Sequence, residues 1–293
     1  MNASEGTVEF IPERVAVVGA GTMGAGIAQV CAAAGLDVTL FDLNEAALTR
    51  GVTGIETSLG RFVKKGTMSQ TDRDAALARL TPTTDVGALR GAGVVVEAVF
   101  ESLPVKRQVW ADIAEVVDDD ALLATNTSSL SVTEIAAGVP RPERFCGLHF
   151  FNPAPLLPLV EVVQAARTSD ETAARAERFV TRLGKSAVRC RDLPGFVVNR
   201  LLIPYLSDAV FALQEGVGTP ETIDTAMKLG ANMPLGPLAL LDLVGLDVAL
   251  AAAESLYREF GDPKFRVPPL LRQHVRAGRL GRKSGEGFYR YDD

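Results

Sequence analysis

Arg14-Val-Ala-Val-Val-Gly19-Ala-Gly21-Thr-Met-Gly24 is the stretch that decides the fold. The β-branched run Arg14 to Val18 has the length and composition of a fully buried strand. It enters a G-x-G-x-x-G motif directly. Ala25 to Ala34 follows as a helical segment, closed by Gly35 in the left-handed C-cap role. Val38-Thr-Leu-Phe41 then reads as a second strand with Asp42 at its end. A glycine motif alone says little, but strand, glycines, helix, strand and acid in this order describe a dinucleotide-binding β-α-β unit. Gly19 allows the tight turn, Gly21 lets a pyrophosphate approach the backbone, and Gly24 lets helix and strand pack closely. The first turn of the helix offers unpaired N–H groups to the phosphates. Asp42 lies 18 residues beyond Gly24, placed to accept from both ribose hydroxyls. Its charge opposes a 2′-phosphate, which favours NAD over NADP.

Further along, Asn44 to Lys65 reads as a long helix capped by Asn44 and stopped by Gly66. Its three internal glycines, Gly51, Gly54 and Gly60, each cost about 1 kcal/mol against alanine, so the helix must lean on a neighbour. Thr71 to Leu80 gives a second helix, and the pair forms a hairpin excursion from the sheet. Ser58 and Lys65, seven apart, share one face of the first helix. Lys65 is either a solvated cation complementing the helix dipole or a phosphate contact. Val94 to Ala98 and Leu122 to Thr125 are further buried strands. Glu101 and Lys106 begin a helix that runs through Trp110 to Val117. Asn126-Thr-Ser128-Ser129 sits at a strand's carboxyl end, where ligand crevices lie in open α/β sheets. These hydroxyls either cap the next helix, begun by Ser131, Thr133 and Glu134, or touch ligand.

Cys146 to Glu161 holds two apolar runs separated by a Pro-broken turn. The first carries His149, one of two histidines, and the second ends in Glu161. An imidazole near neutral pH suits proton transfer, and a carboxylate on the neighbouring strand would fix its tautomer. The alternative is a core histidine with its ring nitrogens satisfied by backbone.

The last β-run, Ser186 to Arg189, precedes a change of composition near Asp192. Residues 1–192 therefore form an α/β domain with a Rossmann-type, mostly parallel sheet, and residues 193–293 a small all-helical domain. Its helical segments are Phe196 to Gln214, interrupted by Pro204, then Pro220 to Leu229, Pro237 to Phe260 and Pro268 to Ala277. Asn199 is a polar interruption in the first of them. His274, among Arg272, Arg276 and Arg279, reads as solvated. The surplus of apolar faces points to self-association.

At 293 residues and 47% hydrophobic, the chain buries ample core for about two domains. A net charge of −6 argues against nucleic acid, which needs basic patches. Asp242 and Asp247 interrupt the longest apolar stretch, so no membrane span is expected. The start is polar and acidic and does not read as a signal peptide. Three scattered cysteines fit a reducing cytoplasm, as small buried hydrophobes and not as a metal site.

Together these features resemble the 3-hydroxyacyl-CoA dehydrogenase family, nearest to its single-function 3-hydroxybutyryl-CoA dehydrogenases. The motifs that carry the resemblance are Gly19 to Gly24, Asn126-Thr-Ser-Ser-Leu130, Gly147-Leu-His-Phe-Phe-Asn-Pro153, Pro194-Gly-Phe-Val-Val-Asn-Arg200 and Gly281-Arg-Lys-Ser-Gly-Glu-Gly-Phe-Tyr289. The resemblance implies that His149 is the general base, oriented by Glu161, and that Ser128 and Asn199 bind the substrate oxygens. It implies NAD contacts from Gly19, Ala20, Gly21, Thr22, Met23, Gly24, Asp42, Glu101, Lys106, Ser128, Asn152 and Lys283. It places Ser58 and Lys65 on the CoA moiety of an acyl-CoA thioester substrate and makes the helical domain a homodimer interface. No metal is implied. Pro158 stands where many members carry lysine, and residues 1–12, without a family counterpart, are expected to be a flexible lead. Two other readings share the pattern: a dehydrogenase of a free hydroxy acid such as a sugar acid, and a cofactor-binding protein without catalysis.

Overall fold

The computed structural model describes residues 12–291, so the expected lead, apart from Pro12, lies outside the described residues. The chain divides into two units, meeting at Asp192 and Leu193.

The first unit runs β1 (Arg14–Val18), α1 (Thr22–Ala33), β2 (Asp37–Phe41), α2 (Glu45–Lys64), α3 (Gln70–Ala78), β3 (Leu80–Thr83), β4 (Val94–Glu97), α4 (Leu103–Ala114), β5 (Leu122–Thr125), α5 (Val132–Ala136), β6 (Phe145–Phe150), β7 (Leu159–Gln164), α6 (Asp170–Arg182) and β8 (Ser186–Arg191). One sheet holds all eight strands in the order β3-β2-β1-β4-β5-β6-β7-β8. Neighbours are parallel except β6 and β7, which are antiparallel. It is a doubly wound sheet whose order reverses between β1 and β4, so the crevice outside the carboxyl ends of those strands is the ligand position. Every residue of β4 and β5 is buried. That explains their continuous apolar runs, since a strand covered on both faces has no reason to alternate. Ile27, Leu40, Ile55, Leu59, Val96, Leu122 and Leu148 are essentially inaccessible in one cluster. Each such side chain stabilises the unit by about 1.5–3 kcal/mol.

The helical hairpin is α2 and α3. Asn44 caps α2 by accepting from the amides of Ala46 and Ala47, and Ser69 caps α3 through Asp72 N. A Cβ on Gly51 would lie 2.9 Å from Ala20 O. Gly51 therefore lets α2 rest on the glycine loop, which is the neighbour the helix needs. The expected second helix to Leu80 is corrected. It stops at Ala78, and Leu80–Thr83 forms the edge strand β3, paired to β2. Pro82 within this four-residue run reads as a breaker, but an edge strand accommodates it because one side needs no ladder donor.

The second unit comprises α7 (Val198–Gln214), α8 (Pro220–Gly230), α9 (Pro237–Val244), α10 (Leu246–Phe260) and α11 (Pro269–Arg276). The expected single helix from Pro237 to Phe260 is two helices. Gly245, at φ +101°, breaks it in a conformation that L side chains rarely adopt. The tail is bound by two buried acids. Asp242 accepts from the amides of Phe288 and Tyr289 and from the Tyr291 hydroxyl. Asp224 accepts from the amides of Leu238 and Ala239 and from the Tyr289 hydroxyl. His274 is not solvated as expected. It is half-buried, with its ring 4.8 Å from that of Phe288, because the tail folds over the helix face that looked exposed. Among the described residues no helix is long and apolar enough to cross a membrane.

Candidate active site

The glycine loop joins β1 to α1 at the sheet's switch point. Gly19 adopts φ +102°, and a Cβ there would fall 2.7 Å from Ala98 O. A Cβ on Gly24 would fall 1.8 Å from Gly19 O, so no other residue permits this approach of helix to strand. Gly21, at the N-cap of α1, has nothing within 4 Å of its Cβ position. It leaves the approach to the helix N-terminus clear, as a pyrophosphate requires. Asp42 accepts from Ala20 N at 2.8 Å and from Asn44 N at 2.9 Å. Each of its oxygens retains a lone pair for a ribose hydroxyl. These residues fit NAD.

His149 and Glu161 are directly opposed across the antiparallel β6–β7 ladder. The His149 Nδ1–H donates to Glu161 Oε2 at 2.6 Å, and both residues are buried. An ionised carboxylate only accepts, so the proton sits on Nδ1 and Nε2 is the accepting nitrogen of the ring. Phe151 packs on the imidazole with ring centroids 4.3 Å apart. The departure at Pro158 leaves this pairing short and in register. The arrangement is an oriented base, able to take a proton at Nε2 and hold the resulting charge beside a carboxylate.

The segment after β5 is held from below. Glu101 Oε1 accepts from Thr127 Oγ1 at 2.6 Å, Ser128 N at 2.9 Å and Ser129 N at 3.2 Å. Ser128 itself is exposed. Lys106 is expected to contact the cofactor. Its side chain is wholly buried, with the ammonium 2.6 Å from Glu97 and 3.5 Å from Glu101. It also donates to Asn126 O at 3.5 Å, so it bears on the crevice through Glu101 and through the 126–129 segment. Glu97 was not singled out from the sequence. Its signal is the acid that ends an otherwise apolar buried strand. Asn126, quoted within a motif but given no role, accepts from Phe150 N through Oδ1 at 2.9 Å. It ties the Ser128 segment to the strand carrying His149.

A cavity of about 610 Å³ opens beside the glycine loop. Ala20, Gly21, Thr22, Ser58, Lys65 and Asn152 share its wall. Residues assigned to two ligands are thus brought to one cavity. Arg50 and Arg61 also line it. Both were missed, although Arg50, Ser58, Arg61 and Lys65 recur at spacings of 8, 3 and 4 along one helix face. Three cations around one cavity suit a ligand rich in phosphate. Asn199 and Lys283 belong to the second unit. Asn199 stands in the first turn of α7, and Lys283 Nζ lies 2.5 Å from Asp247. The cysteines are not nucleophiles. Burial pushes the Cys31, Cys146 and Cys190 thiols up to about 12. Cys190 is only half-buried, because it lies on the outermost strand β8.

Residues 14–193 match the family described as 3-hydroxyacyl-CoA dehydrogenase, NAD binding domain, and residues 195–291 match its C-terminal domain. A 3-hydroxybutyryl-CoA dehydrogenase of Mycobacterium tuberculosis is 49% identical over 281 residues, 95% of this chain and 98% of that protein. One from Bradyrhizobium diazoefficiens is 43% identical over 279 residues, 95% of each chain. The crystal structure of (S)-3-hydroxybutyryl-CoA dehydrogenase from Ralstonia eutropha superimposes with a TM-score of 0.93 at 45% identity, covering 97% of this chain and 100% of that one. With both halves matched in order, and the glycine loop, Asp42 and the His149–Glu161 pair built as described, the chain belongs to the 3-hydroxyacyl-CoA dehydrogenase family and takes NAD as its cofactor.

Proposed function

We propose that this dehydrogenase interconverts short-chain (S)-3-hydroxyacyl-CoA and 3-oxoacyl-CoA, with 3-hydroxybutyryl-CoA and acetoacetyl-CoA as its pair. The observation that carries the reading is the buried 2.6 Å His149–Glu161 pair on a dinucleotide-binding sheet that also bears a cationic cavity. Bound NAD supplies the acceptor for a hydride from the substrate's C3. His149 Nε2 takes the 3-hydroxyl proton as that hydride departs. Glu161 holds the ring in the required tautomer and offsets the imidazolium charge. In the reverse direction the imidazolium returns the proton to the oxygen. Help of this kind is worth about 10²- to 10⁴-fold in rate.

Ser128 and Asn199 are assigned hydrogen bonds to the substrate oxygens near the reacting carbon. Gly19 to Gly24, Asp42, Glu101, Asn152 and Lys283 are assigned to the cofactor. Ser58 and Lys65 take the CoA moiety, and the cations of Arg50 and Arg61 on the same wall support that placement. The enzyme works in the cytoplasm as a homodimer through its helical unit. Leu201, Leu229, Leu243 and Val248 are each more than half exposed there, apolar surface that a soluble monomer would rarely leave open.

The test is NADH oxidation with acetoacetyl-CoA, with NADPH and free acetoacetate alongside. Rapid NADH loss with the thioester alone is the expected result. Turnover of the free acid without CoA would select the hydroxy-acid reading, which the named relatives do not favour. Light scattering that returned a monomer mass would remove the dimer.

A further inference from the structure

Glu97 ends β4 with no accessible surface, so it cannot touch substrate or cofactor. Yet its carboxylate gathers four donors. Oε1 accepts from Lys106 Nζ at 2.6 Å and Val99 N at 2.8 Å. Oε2 accepts from Thr125 Oγ1 at 2.7 Å and Trp110 Nε1 at 3.2 Å. Thr125 is its partner in the β4–β5 ladder and immediately precedes the 126–129 segment. Lys106, equally inaccessible, stands between this carboxylate and Glu101. Glu101 in turn gathers Thr127, Ser128 and Ser129. One cation thus sits between two carboxylates, one sealed in the sheet and one at the crevice. An unpaired ion in such a place is costly, so each member is constrained by the others.

We propose that Glu97 is a positioning residue for the reaction. Through Lys106 it anchors the Glu101 carboxylate, and through Thr125 it anchors the end of β5, so that Ser128 is held where substrate and cofactor meet. The inference rests on the activity proposed above. If the Glu97 charge is removed, Glu101 is the carboxylate left to Lys106, beside the Asn126 carbonyl at 3.5 Å. Lys106 draws that carboxylate away from the amides of Ser128 and Ser129, and the segment loses its register without any change to His149 or Glu161.

The experiment uses Glu97→Gln in the full chain, which keeps the volume but removes the charge and turns one of the two accepting oxygens into a donating amide. NADH affinity is read by its fluorescence, and acetoacetyl-CoA turnover across a range of NADH concentrations. The NADH Kd and KM rise about tenfold, the worth of one charge-assisted hydrogen bond. The kcat falls on the order of 10²-fold, as misplacement by about 1 Å costs. A merely structural role lowers the amount of folded enzyme, which scales kcat and leaves Kd and KM untouched. That split, or wild-type constants in Glu97→Gln, overturns the proposal. A second variant, Glu97→Gln with Lys106→Met, removes both buried charges. Its melting temperature recovers while its NADH Kd stays raised, because the anchor is still missing. Recovery of both overturns the proposal. Should the single variant not accumulate as folded protein, the NADH Kd of the double variant decides in the same way. Wild-type protein that binds NADH but does not reduce acetoacetyl-CoA would overturn the activity reading instead, with the NADH Kd still testing the anchor.

Discussion

Replacing Glu161 by Gln isolates what the carboxylate contributes to the base. The substitution keeps the volume in a fully buried position, and the amide oxygen still accepts from His149 Nδ1. What it removes is the charge facing the ring at 2.6 Å. A buried charge-assisted hydrogen bond contributes about 1.5–3 kcal/mol. The wild-type pair realises that energy most fully when the ring becomes an imidazolium in the transition state. At 1.36 kcal/mol per factor of ten, kcat for 3-hydroxybutyryl-CoA oxidation falls by about 10- to 150-fold. NADH affinity is unchanged, because the cofactor assignments lie elsewhere. His149→Ala loses about 10²- to 10⁴-fold. The combined variant loses no more than His149→Ala alone, because Glu161 acts on the reaction through the ring it orients. Steady-state kinetics on the four proteins complete the cycle. Turnover of Glu161→Gln within twofold of wild type would refute the reasoning, as would losses that multiply in the combined variant.

Asp42→Ala removes the acceptor from Ala20 N and the charge facing the ribose. The NADH KM rises at least about tenfold and the preference for NADH over NADPH shrinks. Unchanged cofactor preference in parallel titrations would remove Asp42 from the ribose. Lys65→Ala raises the KM for acetoacetyl-CoA up to about tenfold with little change in kcat, and high salt narrows the difference because the contact is exposed. A KM equal to wild type would take Lys65 out of the CoA site. His274 titrates below its ordinary 6.5 because burial disfavours its charged form, with Arg279 adding to the effect. Above pH 6.5 the ring is neutral folded or unfolded and contributes nothing. Below it the unfolded chain takes the proton first, so stability falls with pH. His274→Gln therefore flattens the decline in melting temperature between about pH 6.5 and 5, and an unaltered slope would show that another group governs it.

What the sequence made legible was local or periodic. The His149–Glu161 pair could be read because two short apolar strands joined by a short Pro-broken connection tend to pair, and a two-residue period leaves few registers. The glycine loop was legible because each of its constraints falls on a named position. The hidden features depend on distant partners. Gly24 meets Gly19, but Gly51 meets Ala20 only because α2 folds back over the loop. Arg50 and Arg61 resemble any solvated arginine until the cavity closes around them. Glu97 and Lys106 are nine residues apart, on a strand and on the helix after it, and nothing in their spacing says that both are sealed inside. β3 carries a proline that suits only an edge, and whether a strand is an edge is a property of the whole sheet. The break at Gly245 was present as a residue, but the apolar run on either side concealed it.

The two acids that bind the tail also set an order of assembly. Asp242 leaves the ribosome 46 residues before Phe288 and 49 before Tyr291, and Asp224 precedes Tyr289 by 65. Throughout that interval neither carboxylate has the tail partners that allow it to stay buried and charged, so both must remain hydrated and the helices around them loosely packed. The NAD-binding unit depends on no residue beyond Asp192 for its sheet and can close while synthesis continues. The sheet would then be closed before the helical half has become rigid.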